Sequence, residues 1–290
     1  LIAYAAERHI TIVPEIELPG HSLAALAAYP EFSCKGSPIQ VRTTGGIEEN
    51  VYCPGNENAM KFLETVLSET ADLFPGAFFH IGGDECPKKS WNVCPKCKKR
   101  MADEGLKNAE ELQSWVVRRM ERLLNSKGKR LIGWDEILEG GLAPNAAVMS
   151  WRGTKGGFTA ASEGHDVVMS PTSHCYLDYF QAKGGEPRAI GGFLPLQTVY
   201  SFEPIPDKLP AERTGHILGV QGNLWTEYIP HSAQLDYMAY PRGCAIAETG
   251  WSQKEKKNWD DFQARLSAHF ARLDARGVKF RVPPPVIAEK

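Results

Sequence analysis

Basic residues are in no excess, long apolar runs are missing, and the phosphate-binding signature G-x-G-x-x-G does not occur in this 290-residue chain. Each absence removes a class of function. With 33 basic against 35 acidic residues the net charge is −2, so bulk electrostatics point to neither nucleic acid nor an anionic membrane as partner. No apolar run approaches the length of a membrane span. Without the glycine signature, a doubly wound dinucleotide-binding sheet is disfavoured. The histidines form no H-x-H or H-E-x-x-H pair, which argues against a metal hydrolase built on His9, His21, His80 and Asp84. No cofactor is expected and no metal is assigned to the site.

Seven cysteines are too few for a disulfide scaffold. Cys34 and Cys53 flank a Gly- and Thr-containing loop and would bridge in an oxidising compartment. Cys86, Cys94 and Cys97 form a tighter cluster, with Cys94-Pro95-Lys96-Cys97 at zinc-binding spacing. A zinc there needs a fourth ligand, and no second Cys-x-x-Cys supplies one. Free thiols, a local disulfide and a structural zinc stay open at this point.

What is present is an alternation of short apolar runs and amphipathic stretches. Residues 10–16, 77–81, 129–132, 146–150, 166–169 and 217–220 read as strands. Between them, Met60, Leu63, Val66, Leu67 and Phe74 share one helical face starting near Asn56, and Leu112, Val116, Met120 and Leu123 share another ending at Gly128. Residues 156–163 give a shorter helix. Residues 232–249 read as a helix bent at Pro241, and Phe262, Leu266, His269 and Leu273 mark the last one, closed by Gly277. Such alternation predicts parallel strands with right-handed crossovers, and the α/β class it fits best is a (β/α)8 TIM barrel. Only six of the eight strands are found. The domain expectation is a single barrel over residues 1–290, incomplete at its N-terminal side because residues 1–8 read as the end of a helix without a cap. Residues 181–215, rich in glycine and proline, are expected to form a long loop at the active site.

The strand exits collect the residues capable of chemistry, as a barrel of this kind requires. The first leads to Glu15, Glu17 and His21, the second to His80-Ile81-Gly82-Gly83-Asp84-Glu85, and the third to Trp134-Asp135-Glu136. The fourth gives Trp151-Arg152, the fifth Tyr176-Leu177-Asp178, and the sixth Leu224-Trp225-Thr226-Glu227. Adjacent carboxylates such as Asp84 and Glu85 are costly to ionise together, which is one way to keep a proton available near neutral pH. Indole faces stack on the C–H faces of a sugar ring while carboxylates take its hydroxyls, so Trp recurring at three exits points to a carbohydrate. Read separately, Glu15, Glu17 and His80 are structural or supporting groups, Asp135 and Glu136 serve as helix caps, and Arg152 fits a loop-holding role as well as a ligand contact.

In this order, the run from Val13-Pro14-Glu15 to Gly20-His21, the block from His80 to Glu85, and the Trp134, Tyr176–Asp178 and Trp225–Glu227 segments resemble glycoside hydrolase family 20, the β-N-acetylhexosaminidases. The resemblance implies a retaining exo-hydrolase acting on terminal GlcNAc or GalNAc by substrate-assisted catalysis through an oxazolinium ion, a family for which the usual second carboxylate is not required. It implies Glu85 as general acid/base, Asp84 as the group that orients the substrate's acetamido N–H, and Tyr176 as a hydrogen-bond partner of the acetamido oxygen. It implies Trp134, Trp151 and Trp225 as walls of the acetamido pocket, Asp178 and Glu227 as ligands of the 4- and 6-hydroxyls, and His21 as support of the acid. The six strands then correspond to the third through eighth of the family barrel, with the sugar-binding arginine of the first strand lying upstream of Leu1. That arginine's absence from these residues keeps a second reading open, a carbohydrate-binding remnant without turnover. The implied partner is a glycan, with a homodimer as candidate assembly, and the implied location is extracytoplasmic.

Overall fold

The computed structural model describes residues 1–283, and their short apolar runs form parallel strands. Six strands occur among these residues: β1 Glu15–Leu18, β2 Phe78–Gly82, β3 Arg130–Trp134, β4 Ala147–Ser150, β5 Val167–Met169 and β6 Ile217–Val220. Five of the six lie within two residues of the bounds their apolar patterns predict. The exception is β1. The apolar stretch 10–16 pairs only from Glu15, and Ile10 and Val13 are exposed. Pro14 accounts for part of this, since it brings no N–H to a ladder and contributes only its carbonyl, which accepts from the His80 N–H at 2.9 Å.

The chain falls into two compact units. The first comprises Leu1–Met149 with Glu163–Asp166 and holds β1 to β4 paired in sequence order, all parallel. Register is set by Glu15 opposite His80, His80 opposite Ile132, and Ile132 opposite Ala147. Its helices are α1 Ile2–Ala6, α2 Leu23–Ala28, α3 Glu57–Leu73, α4 Lys89–Val93, α5 Pro95–Asp103 and α6 Ala109–Ser126. The two long helices start where side-chain caps place them. Asn56 accepts from the Asn58 N–H, and Asn108 from the Glu111 N–H. They bury Met60, Leu63 and Leu67 on α3, and Leu112, Val116, Met120 and Leu124 on α6, with Leu124 inward in place of the expected Leu123. Arg119 on α6 joins them by pairing with Glu57 and Glu64 of α3, each at 2.6 Å.

The second unit comprises Ser150–Ser162 and the chain from Val167 onward. Here β5 and β6 pair in parallel, with Val167 opposite Ile217 and Met169 opposite Val220. Its helices are α7 Lys155–Ser162, α8 Thr172–Cys175, α9 Leu196–Ser201, α10 Ser232–Ala239, α11 Arg242–Trp251 and α12 Trp259–Ala275. The bend expected at Pro241 is a full break between α10 and α11. The segment 181–215 is less irregular than its composition suggests. It contains α9, whose Leu196, Val199 and Tyr200 join Leu177, Leu194, Ala245, Phe262 and Leu266 in one apolar core.

Candidate functional site

In the first unit the chemistry gathers where β1 and β2 end. After β1 the chain passes Pro19 and Gly20 to His21, whose φ of 46° lies in the left-handed region. After β2 it turns through Gly82 and Gly83 to Asp84 and Glu85, and Glu85 too has a positive φ, 43°. Among non-glycine residues described, only His9 shares that property, so backbone strain is concentrated on two of the expected site residues. The result is a tight trio. His21 Nε2 stands 3.4 Å from Asp84 Oδ2 and 3.2 Å from Glu85 Oε2. Its hydrogen bond to Asp84, together with the charges of Asp84 and Glu85, raises the His21 pKa against the opposing effect of burial. The three groups stand close enough together to ligate a cation as well as to share a proton.

Beneath the trio sits a second layer. His80 is buried, with Nδ1 2.9 Å from Glu15 Oε1 and its ring edge-on to Trp134 at 5.0 Å. The Trp134 indole N–H donates to the same Glu15 oxygen at 3.0 Å. Glu17 lies between Glu15 and Asp84, and burial together with these two carboxylates pushes it up to about 10. It holds its proton at neutral pH and so adds no third negative charge beside Asp84. Gly82 makes this possible: a Cβ there would sit 1.8 Å from Glu17 Oε2. Gln113 on α6 fixes the turn from behind, donating to the Gly83 carbonyl at 2.6 Å while Lys88 bonds its side-chain oxygen. Sequence patterning gave no sign of Gln113, which looks like an ordinary polar residue of an amphipathic helix.

The second unit holds the other predicted residues. Trp151, directly after β4, stacks on Tyr176 with ring centroids 6.3 Å apart and an interplanar angle of 29°. Tyr176 follows α8, forms a parallel bridge with Asn223, and its phenol hydrogen-bonds with Trp225. Burial raises its pKa above the ordinary tyrosine value. Asp178 is 2% exposed, and neither of its carboxylate oxygens has a hydrogen-bond partner among the described residues. Burial, with a further push from Glu227, lifts Asp178 to about 7. An orphaned buried carboxylate beside an exposed acid and a half-exposed Trp225 is arranged for a ligand rich in hydroxyl donors. Arg242, unmarked by any motif, is fully buried and donates to the carbonyls of Leu177, Tyr179, Leu194 and Met238, which fixes the Asp178 segment.

The cysteines depart from expectation. None of the seven is in a disulfide, so Cys34 and Cys53 are not bridged. Cys86 stands apart from Cys94 and Cys97, buried within the same core, where desolvation pushes its thiol up to about 12. The thiols that do come together are Cys34, Cys53, Cys94 and Cys97. Spacing alone favoured Cys86 because it is nearer in sequence, whereas the strand order folds the 29–53 loop onto the start of α5.

Residues 1–254 match the model of the glycosyl hydrolase family 20 catalytic domain. A beta-hexosaminidase of Porphyromonas gingivalis is 50% identical over 98% of this chain, which spans 37% of that protein. The human beta-hexosaminidase subunit beta is 27% identical over 96% of the chain and 48% of its own length. The crystal structure of an exo-β-N-acetylglucosaminidase from Vibrio harveyi in complex with N-acetylglucosamine superposes with a TM-score of 0.86 at 35% identity, covering 98% of this chain and 45% of that one. The chain thus spans less than half the length of each of these three relatives. Its six parallel strands are accordingly part of a TIM barrel of that type. Matched by the family model from its first residue to residue 254, the chain belongs to glycosyl hydrolase family 20.

Proposed function

We propose that the protein carrying this chain is a retaining exo-β-N-acetylhexosaminidase that removes terminal β-linked GlcNAc or GalNAc with the substrate's own acetamido group as nucleophile. The observation that carries this reading is the His21–Asp84–Glu85 trio on strained backbone at the exits of β1 and β2. Glu85 is the member that gives its proton to the leaving glycosidic oxygen and later takes one from water. Asp84 accepts the acetamido N–H, which turns the acetamido oxygen toward the anomeric carbon and offsets the positive charge of the oxazolinium that forms. A protonated Glu17 leaves Asp84 as the carboxylate available for that charge. His21 stands against both acids and sets their orientation.

The second unit's residues carry the family roles in sugar recognition. Tyr176, held by Trp225 and by its backbone bridge to Asn223, hydrogen-bonds the acetamido oxygen, and Trp151 and Trp225 give the sugar apolar walls. Asp178 and Glu227 take the 4- and 6-hydroxyls. The relatives' names, beta-hexosaminidase, and the N-acetylglucosamine bound to the Vibrio harveyi enzyme support this assignment. The experiment is hydrolysis of an aryl N-acetyl-β-glucosaminide by the full-length protein. Turnover that a thiazoline mimic of the oxazolinium blocks competitively is expected, and Glu85→Gln is expected to lower kcat by about 10²-fold or more. Sugar binding without turnover would overturn the reading in favour of a carbohydrate-binding remnant, and an undiminished Glu85→Gln would remove Glu85 from its role.

A further inference from the structure

Cys34, Cys53, Cys94 and Cys97 come from three separate stretches of the first unit, and their four sulfurs all lie within 4.8 Å of one another. The Sγ···Sγ distances are 3.8 Å for Cys34 and Cys97, 3.9 Å for Cys53 and Cys94, and 3.5 Å for Cys53 and Cys97. Four sulfurs set tetrahedrally about a zinc ion at about 2.3 Å stand about 3.8 Å apart along each edge. Disulfide partners sit at about 2.05 Å and come in pairs. Here Cys53 is close to both Cys94 and Cys97, while Cys97 is close to both Cys53 and Cys34. That pattern has a common centre and no pairing. The sulfurs are also too close together for thiolates arranged around a multi-iron cluster.

The surroundings favour thiolates. Cys94 caps α5 and Cys97 lies in its first turn, where unpaired backbone N–H groups and the helix dipole lower the cost of negative charge. The Gly55 N–H is directed at the Cys53 sulfur. Gly55 itself packs on the turn between Cys94 and Cys97, since a Cβ there would lie 2.3 Å from the Lys96 carbonyl oxygen and 2.4 Å from the Cys97 nitrogen. Three of the sulfurs belong to buried residues, and Cys34 is the partly exposed one. Exposed Lys35, Lys96 and Lys98 flank the ligands and offset the double negative charge of a tetrathiolate zinc.

We propose that Cys34, Cys53, Cys94 and Cys97 form a structural zinc site that clamps the loop following β1 to the α4–α5 segment following β2. Four protein sulfurs leave no open coordination position, so the ion takes no part in hydrolysis. Its role is mechanical. The clamped segment begins at Asp84 and Glu85, and Trp91 on α4 ties it further by donating its indole N–H to the Tyr52 carbonyl at 2.9 Å. Zinc binding displaces the thiol protons to solvent, with no change of oxidation state.

The test is metal analysis of the full-length protein purified without chelator, read together with thiol chemistry. The expected result is about one zinc per chain, released in step with mercurial titration of four thiols and leaving a colourless protein throughout. Stripping the metal is expected to lower the thermal midpoint and to open the 29–53 loop to protease, with recovery on adding zinc alone. Cys97→Ser is expected to lose the metal. Should that variant fail to fold, the partly exposed Cys34→Ser provides the second reading, with zinc affinity lowered at least tenfold, while Cys86→Ser keeps full zinc content. Two disulfides found by mass spectrometry overturn the proposal. So do four alkylatable thiols that take up no zinc, or a coloured iron-bearing protein.

Discussion

Burial and the neighbouring carboxylates of Asp84 and Glu15 push Glu17 from 4.5 up to about 10, which has a consequence for stability. Between those two values the folded protein binds a proton that the unfolded chain has lost, so the Glu17 contribution is fully present below 4.5 and declines as pH rises toward 10. Glu17→Gln keeps the shape and removes the titration. Its thermal midpoint is expected to vary less than the parent's between about pH 5 and about pH 9, as calorimetry at a series of pH values would read. Asp178 follows the same sign over a lower window, from 3.8 to about 7. Asp178→Asn is expected to match the parent in acid and to exceed it at about pH 8 by on the order of 1 to 3 kcal/mol in urea unfolding. Its kcat/KM should fall about 10²-fold or more through loss of the hydroxyl contact. Gain of stability with loss of activity is the signature of a ligand-facing buried acid, and an inert Asn would show instead that Asp178 is only core.

Elements place these residues through their ends. The exit of β2 works because Gly82 adopts φ +67° and leaves space for Glu17. Gly82→Ala meets both a strained backbone and a 1.8 Å overlap, and is expected to cost about 2 kcal/mol or more in urea unfolding. On α11, Arg242 holds four carbonyls, and Arg242→Met leaves them without a donor. The expected loss is about 3 kcal/mol or more, with faster proteolysis inside residues 181–215 than elsewhere. The strands and helices themselves were largely legible, because β2 to β6 are short apolar runs and the long helices carry asparagine caps and clear inward stripes. Two kinds of feature were hidden. Gln113 and Arg242 sit on amphipathic helices where a polar residue reads as solvent-facing, and only tertiary packing turns them inward. The four-thiol cluster joins residues 63 positions apart in sequence at its widest, so spacing placed Cys86 where Cys34 and Cys53 belong.

At the scale of the molecule, family membership rests on motifs in order along the chain, and those were readable before any coordinates. The His80–Glu85 block is specific because a six-residue strand exit of this kind does two jobs. Its glycines turn the backbone, and in the proposed mechanism its acids supply proton and charge. Division of labour between Asp84 and Glu85 depends on a nucleophile that the substrate brings, and this is the central claim. The most direct measurement is kcat/KM of the full-length protein on aryl β-glucosaminides whose N-acetyl group carries zero, one, two or three fluorines. Electron withdrawal weakens the acetamido oxygen as a nucleophile while leaving the leaving group unchanged. A steep, monotonic fall of about tenfold or more across the series is the expected result when the oxygen attacks in the transition state. A flat series would contradict it, placing the nucleophile in the protein or in water.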